Sequence, residues 1–273
     1  MPAAINLSRG ASRRRVLLVA LAAACLARPE PPAQAREVSH GSNARPGDAG
    51  CEIRDTLLIH GQRASHDVAL TFDACPTRHV PPFAPAIVEA LVKAEVPATF
   101  FVSGKWAEAH PEDLQVLADV PFFAIASHGY RHRRLNGASD QAILAEIADG
   151  RHALEQLGVR PQALFRPPFG DHPPGLAGLA RRAGVTPVLW DVAPGDPSPQ
   201  ETAADIERDV LRQTRGGSII VLHVNGRGVG TAAALPSVIA RLRERGFRFV
   251  TVAELLRQCD AASAVAGQSG GTP

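Results

Sequence analysis

Apolar residues follow two spacings in this chain, and the two alternate along its length. Short continuous apolar runs predict buried strands, whereas recurrence every three or four residues predicts helices that bury one face. Strands are predicted over residues 68–73, 98–102, 122–128, 163–166, 185–190, 218–223 and 247–250. Helices are predicted over residues 83–92, 143–157, 176–183, 203–213, 233–245 and 252–259.

This alternation of strands and helices implies a parallel sheet covered by helices, which is the α/β class. Seven or so such units predict a closed or nearly closed barrel. The chain has 273 residues, 45% of them hydrophobic, and can bury a sizeable core in a single domain. We expect that domain over residues 67–258, after an irregular lead-in at residues 36–66 and before a disordered tail at residues 261–273.

The first 35 residues have the pattern of an export signal. Arg13–Arg15 precede an apolar run at residues 16–26, and small residues at 33–35 suit a cleavage site. The run is too short to favour a retained anchor, while twin-arginine export and lipid modification of Cys25 are alternatives. We predict that residues 1–35 are cleaved and that the mature protein is periplasmic or extracellular, with no stable membrane span.

The charge balance argues against one class of partner. The whole chain has a net charge of +2, but five arginines and Glu30 belong to the predicted signal, so the rest carries −2. Nucleic-acid binding needs a clustered basic surface, which this balance does not indicate. The sequence therefore predicts no nucleic-acid partner, and we expect a monomer.

Polar clusters stand at the ends of four predicted strands. They are Asp73, the His-x3-His pair of His128 and His132, Arg166, and His223. The carboxyl ends of barrel strands converge on one face, where catalytic groups collect. The order of these clusters therefore predicts one metal-assisted hydrolytic site.

The histidine pair is the predicted metal site. On a helix such a pair is typical of zinc peptidases, but Gly129, Tyr130 and Arg131 stand between the histidines, and the glutamate that those enzymes use as a base is absent. The preceding strand and Gly129 favour a pair carried on a loop. Neutral imidazole suits zinc, which we favour, and also cobalt, nickel or iron. Histidines of an ordinary surface loop are the alternative.

Asp73 is the candidate general base, which takes a proton from a water that the metal has made more acidic. The alternative is a helix N-cap. Arg166, followed by Pro167 and Pro168, can hold Asp73 ionised or form only a structural ion pair. The backbone N–H of Phe169 is a candidate to face a developing oxyanion.

His223 is the candidate general acid for the leaving amine, with a buried structural histidine as the alternative. Trp190 is expected to wall the pocket, and Asp191 or Asp196 to tune His223. Core packing and turn formation are the other interpretations of these three residues. Phe169, Trp190 and Asp196 form the predicted substrate-binding set. No Gly-x-Ser-x-Gly elbow occurs, which argues against a serine hydrolase.

Three cysteines follow the predicted signal. Export permits a disulfide, and a Cys51–Cys259 bond would join the two ends of the domain. Cys75 would then be unpaired. Two interpretations stay open for it, a small buried hydrophobe or a thiol that faces the metal.

These motifs, in this order, resemble the polysaccharide deacetylase family, also called the NodB homology or carbohydrate esterase family 4 domain, over roughly residues 67–257. Thr71-Phe72-Asp73 is similar to its first motif, Ser127-His128 through His132 to the second, Arg166 through Gly170 to the third and Leu222-His223 to the fifth. The resemblance implies a distorted (β/α)7 barrel that removes acetyl groups from N-acetylated sugars by metal-activated water. It assigns Asp73 as base, His128 and His132 as metal ligands, Arg166 as partner of the base and His223 as acid.

The chain departs from that family pattern at several positions. Ala74 stands where the family usually has a second aspartate that binds the metal, so we expect weak metal binding. Gly129 replaces the usual serine or threonine. In the fourth motif Ala193 and Pro197 replace Asp and Trp, although Asp196 is retained.

The function predicted from the sequence is therefore a metal-dependent hydrolase that removes N-acetyl groups from peptidoglycan, a chitin-like polymer or another N-acetylhexosamine glycan. Ala74 motivates a first alternative, a non-catalytic glycan-binding or scaffold protein on the same barrel. A hydrolase of non-sugar amides or esters is a second alternative, because fold and metal do not fix the substrate.

Overall fold

The computed structural model describes residues 51–54, 57–78 and 82–269, which belong to one unit of the chain. The predicted signal peptide and the first part of the predicted lead-in lie outside the described residues. In the part of the chain that is described, no helix combines the length and the apolar character needed to cross a membrane.

Parallel strands form the centre of the fold. The strands are β1 (Glu52–Arg54), β2 (Leu57–His60), β3 (Asp67–Ala74), β4 (Ala98–Val102), β5 (Phe123–Ser127), β6 (Leu164–Phe165), β7 (Thr186–Pro187), β8 (Ile219–His223) and β9 (Arg248–Phe249). Six of them pair in the order β7-β6-β5-β4-β3-β8, and β9 joins β3. All these pairs are parallel.

The segment after β7 brings the two edges of this sheet together. The amide of Leu189 donates to the carbonyl of Leu58 in β2, and Val192 forms a parallel bridge with Ile220 in β8. The strands therefore form a distorted, nearly closed barrel rather than an open sheet. This confirms the predicted α/β barrel.

The two faces of β3 have different surroundings. Leu70, Phe72 and Ala74 lie in the apolar cluster that packs between the sheet and its helices. Thr71 and Asp73 point to the opposite side, where both contact Arg166. Side chains alternate between the two faces of a strand, so the sequence of β3 separates core packing from chemistry.

The helices cover the outside of the barrel. They are α1 (Pro85–Lys93), α2 (Gly104–Ala109), α3 (Pro111–Ala118), α4 (Asp140–Gln156), α5 (Leu176–Arg182), α6 (Ala203–Gln213), α7 (Thr231–Glu244) and α8 (Val252–Ser269). The Ser139 hydroxyl accepts the amide of Ala142 and caps α4. The predicted bounds of α1, α4, α5, α6 and α7 are each confirmed to within three residues.

The prediction missed α2 and α3, which lie between β4 and β5. Both helices are too short for an apolar period to be recognised in the sequence. Pro111 occupies the first turn of α3, where its missing N–H costs nothing, and so separates the two helices.

Two segments differ from the sequence-based expectation. Part of the predicted lead-in forms the antiparallel hairpin β1–β2, because residues 57–59 are apolar and Leu58 is fully buried. The helix predicted to end at Cys259 continues to Ser269, so most of the predicted disordered tail is helical. Residues 261–266 are rich in alanine, the strongest helix former.

Cys51 and Cys259 form the disulfide that export would permit, across a sequence separation of 208 residues. A bond that closes so long a loop restricts the unfolded chain. Replacing both cysteines with alanine is therefore expected to lower the free energy of unfolding by about 2–4 kcal/mol. Urea denaturation of the oxidised protein and of the double variant measures this, and equal midpoints would contradict it.

Candidate active site

The carboxyl ends of four barrel strands bring the predicted polar clusters together. Asp73 and His223 are register partners in β3 and β8, while His128 directly follows β5 and Arg166 directly follows β6. Asp73 Oδ1 lies 2.8 Å from Arg166 Nη1, and Asp73 Oδ2 lies 3.5 Å from His128 Nε2. These side chains therefore share one end of the barrel.

Arg166 is fully buried and is held from several sides. Its Nη1 donates to Asp73 and to the Thr71 hydroxyl, both at 2.8 Å, and its Nη2 donates to the Leu189 carbonyl at 3.3 Å. The Phe101 ring lies 4.0 Å from the guanidinium carbon, a cation–π contact. Burial raises the pKa of Asp73, but Arg166 together with His128 and His223 outweighs this effect, and the pKa stays below its ordinary value. Asp73 is therefore ionised at neutral pH.

His128 is oriented by the backbone of Arg166. Its Nδ1 lies 2.8 Å from the Arg166 carbonyl oxygen, which can only accept, so Nδ1 carries the proton. Nε2 then presents a lone pair towards the site. Burial lowers the pKa of His128 and favours the neutral ring, which is the form that binds metals.

His132 is held by an unusual loop conformation. Its φ of +57° lies in the left-handed region, and its backbone N–H donates to Glu146 Oε1 at 2.8 Å. The His132 and His128 ring centroids lie 4.8 Å apart. Burial, with a further contribution from His128, lowers the pKa of His132 to about 3. Both rings are therefore neutral near pH 7.

Sequence reasoning missed Glu146, the buried carboxylate of α4 that holds the histidine loop. Besides the amide of His132, its Oε1 accepts the amide of Arg131, at 2.7 Å. Gly150 lets α4 approach this loop closely, because a Cβ atom there would lie 2.4 Å from the Gly129 backbone. The sequence signal that could have indicated such an approach is a glycine inside a helical pattern.

Cys75 lies beside the histidine pair. Its Sγ atom and one ring nitrogen from each of His128 and His132 all lie within 4.8 Å of one another. Imidazole nitrogen and thiol sulfur are donors that bind zinc and other transition metals. The residues present therefore fit a divalent transition metal.

His223 faces the site from the end of β8 and is held by Asp196. Its Nδ1 donates to Asp196 Oδ1 at 2.9 Å, and its backbone N–H donates to Oδ2 at 2.8 Å. The Thr231 hydroxyl donates to the same Oδ2 at 2.8 Å. Burial lowers the pKa of His223, but Asp196 together with Asp73 outweighs this effect, and the pKa is raised.

The two aspartates considered as partners of His223 have different positions. Asp191 accepts the amide of Ile219 at 2.7 Å and pairs with Arg63 at 2.8 Å, so it stabilises the barrel edge instead. Asp196 is buried, and both of its oxygens are occupied. This geometry orients His223, and the substrate-binding role of Asp196 stays a prediction.

Two aromatic side chains border the site. Phe169 is 45% exposed, and its ring centroid lies 4.4 Å from that of His132. Its φ of +60° is strained for a bulky residue, and strain of this kind clusters at functional sites. The half-buried Trp190 has its ring 5.5 Å from the Arg166 guanidinium, and a Cβ at Gly170 would lie 2.9 Å from that ring.

Known proteins share this sequence pattern. The polysaccharide deacetylase family profile matches residues 60–188. A peptidoglycan-N-acetylglucosamine deacetylase of Bacillus cereus is 32% identical over 196 residues, which are 70% of this chain and 88% of that protein. A chitooligosaccharide deacetylase of Azorhizobium caulinodans is 29% identical over 194 residues, which are 66% of this chain and 90% of that protein.

Solved structures share the fold. A peptidoglycan N-acetylglucosamine deacetylase superposes with a TM-score of 0.68 at 28% identity, over 73% of this chain and 92% of that one. A pseudoenzyme of carbohydrate esterase family 4 from Bacillus anthracis also gives 0.68, at 22% identity, over 75% of this chain and 70% of that one. At that identity the second likeness concerns the fold alone.

The fold and the site together define an α/β-barrel hydrolase with a place for a divalent metal. The sequence matches specify this class further. The chain belongs to the polysaccharide deacetylase family, as its motifs predicted.

Proposed function

We propose that this chain removes N-acetyl groups from an N-acetylated glycan, with a divalent metal held by His128 and His132. The observation that carries the proposal is the pairing of a candidate base and a candidate acid on adjacent strands. Asp73, ionised beside Arg166, is the register partner of His223, whose pKa is raised. Relatives named for deacetylation of peptidoglycan and chitooligosaccharides support the substrate class.

Hydrolysis of an amide needs a base for the attacking water. Asp73 supplies it, because Arg166 keeps the carboxylate ionised and fixed. When bound, a divalent metal supplies a Lewis acid that polarises the acetyl carbonyl and makes water more acidic. The backbone N–H of Phe169 donates to the oxygen on which charge develops.

The departing amine needs a proton, which His223 donates. Asp196 keeps His223 protonated at a higher pH than burial alone would permit, and it fixes the ring through Nδ1. Nε2 is then the atom that faces the leaving nitrogen. Asp196 is a positioning residue in this scheme, since it acts through His223.

Phe169 and Trp190 are proposed to contact the sugar. The exposed ring of Phe169 lies directly beside His132, so a sugar bound against it has its acetyl group near the metal ligands. The export pattern at residues 1–35 supports action outside the cytoplasm on a cell-wall or extracellular glycan. We propose that the protein acts there as a monomer.

Metal removal tests the proposed activity. The purified protein is expected to release acetate from N-acetylglucosamine oligomers or peptidoglycan in the presence of zinc or cobalt. Chelation is expected to reduce that release by about 10³-fold, because Lewis-acid stabilisation contributes several kcal/mol. Acetate is measured directly, and readdition of zinc restores it. Release that survives chelation would contradict a metal-dependent mechanism.

Ala74 favours one competing function, a glycan-binding protein without activity, because the family's usual carboxylate ligand is absent. That protein would bind N-acetylglucosamine oligomers but release no acetate with any added metal. Simple acetate esters, assayed in parallel, identify a hydrolase with a non-sugar substrate.

Asp196→Asn tests the proposed acid. Removing the carboxylate charge lowers the pKa of His223, so the alkaline limb of the pH–rate profile is expected to move to lower pH. Turnover at neutral pH is expected to fall by up to about 10²-fold, the lower end of what a positioned acid contributes. The profile of kcat against pH measures both effects.

Asp67→Asn is the matched control for that variant. Asp67 is also a buried aspartate, but it begins β3 at the opposite end of the barrel and binds Arg248 and Gln258. The Asp67→Asn variant is expected to leave the pH–rate profile unchanged. An unshifted alkaline limb in Asp196→Asn would remove His223 from the acid role.

A further inference from the structure

Cys75 directly follows β3, and its thiol lies with the two metal-ligand histidines. The Sγ atom and a ring nitrogen of each of His128 and His132 lie within 4.8 Å of one another. We propose that Cys75 is the third protein ligand of the metal, one position beyond the residue that the family normally uses. The inference rests on the metal site of the proposed function and names one of its ligands.

The alternation of side chains along β3 explains why position 75 can replace position 74. Ala74 packs with Phe72 in the apolar cluster under the helices. Asp73 lies on the opposite face, with Arg166. A further step of the same alternation turns Cys75 back to the face of Asp73. The thiol therefore reaches the histidines while Ala74 fills the core.

Hydrogen bonds to two successive carbonyl groups, those of Ala74 and Cys75, fix the backbone at Cys75. The Ala74 carbonyl accepts both the amide and the hydroxyl of Ser103, each at 3.1 Å. The Cys75 carbonyl accepts from Asn225 Nδ2 at 2.7 Å. Cys75 is itself buried, with 2% of its surface exposed. The position of the thiol is thus built into the fold, as the position of a ligand must be.

The resulting donor set matches the chemistry of a catalytic metal. Catalytic zinc commonly has three protein ligands and one open position, and two imidazoles with one thiolate supply that number. Atoms bound to zinc at about 2.0–2.3 Å lie about 3.3–3.6 Å apart. The cluster therefore needs to contract by about 1 Å. The thiol proton passes to solvent as the sulfur binds, and the soft sulfur favours zinc or cobalt over magnesium or calcium.

This assignment also leaves Asp73 free to act as the base. Its Oδ1 is committed to Arg166, and its Oδ2 lies 3.5 Å from His128. If the metal took Asp73 as a ligand beside the two histidines, the carboxylate would no longer be free to act as the base. The thiol resolves this competition, and it also replaces the weak binding expected from two ligands with ordinary three-ligand affinity.

Cobalt spectroscopy tests the proposal without any need for activity. The metal-free protein, with its Cys51–Cys259 disulfide intact, is titrated with Co²⁺. A thiolate-to-cobalt charge-transfer band is expected in the near ultraviolet, together with visible ligand-field bands. Cys75→Ser is expected to lose the charge-transfer band and to bind zinc at least about tenfold more weakly, since even outer-shell changes have effects of this size.

Each result has a defined meaning. Cobalt that binds to the wild-type protein without a charge-transfer band would overturn the proposal whether or not the variants fold. A charge-transfer band that persists in folded Cys75→Ser would also overturn it. Circular dichroism checks that Cys75→Ser is folded. A wild-type charge-transfer band without acetate release would refute the proposed deacetylation and leave the thiolate ligand standing, whereas acetate release without the band would do the reverse.

Discussion

Asp73→Asn is expected to reduce acetate release by about 10²–10⁴-fold, the range that a positioned general base contributes. The amide has nearly the same size as the carboxylate and can still accept the hydrogen bond from Arg166. It cannot take a proton from water at neutral pH. Because the carboxylate acts on the water rather than on the sugar, the loss is expected in kcat and not in KM. Acetate release from N-acetylglucosamine oligomers at saturating zinc measures both constants.

Asp191→Asn provides the matched control for this variant. Asp191 is also an aspartate near the end of a barrel strand, and it also pairs with an arginine, Arg63. It lies away from the site, so the same chemical change is expected to leave kcat unaltered. Zinc content is measured in both variants, because a lost metal would mimic a lost base. Wild-type turnover in Asp73→Asn with zinc bound would exclude Asp73 as the base.

The convergence of the site could be predicted because it depends on topology. In a barrel of parallel strands, any residue directly after a strand lies at the same end. The apolar runs before Asp73, His128, Arg166 and His223 were therefore enough to place these residues together. The helices with a clear apolar period were predictable for a similar reason, since the period arises within one segment.

The supporting contacts were not predictable, because they join segments that are distant in the sequence. Glu146 acts on the amide of His132 from another element, and no local pattern marks a buried helical glutamate as a loop anchor. Asp196 looked like a turn residue with several possible roles, and only the fold shows both oxygens on His223 and Thr231. The face of Cys75 likewise depends on where β3 ends.

Arg166→Met is expected to produce the largest change in stability and to inactivate the enzyme as well. Burial is the largest influence on Asp73 and raises its pKa, while Arg166 is the largest opposing influence. Without the guanidinium, the pKa of Asp73 rises, so the acid limb of the kcat profile moves to higher pH. Breaking a buried ion pair by removing one partner also costs about 3–5 kcal/mol of the free energy of unfolding.

The pH dependence of stability gives this prediction its sharpest form. In the wild-type protein the pKa of Asp73 is lowered, so its contribution to stability is present above the unfolded value and disappears as the pH falls through the folded value. In Arg166→Met the folded pKa lies above the unfolded one, and stability is expected to decrease as the pH rises between them.

Arg166→Lys keeps the charge but loses the planar fork and its contact with Phe101, so it is expected to retain the wild-type direction with a smaller stability. Urea denaturation of the three proteins between pH 4 and pH 8 (about the range over which a buried carboxyl titrates) measures the slopes. A Met variant with the wild-type slope would show that Arg166 does not control the ionisation of Asp73.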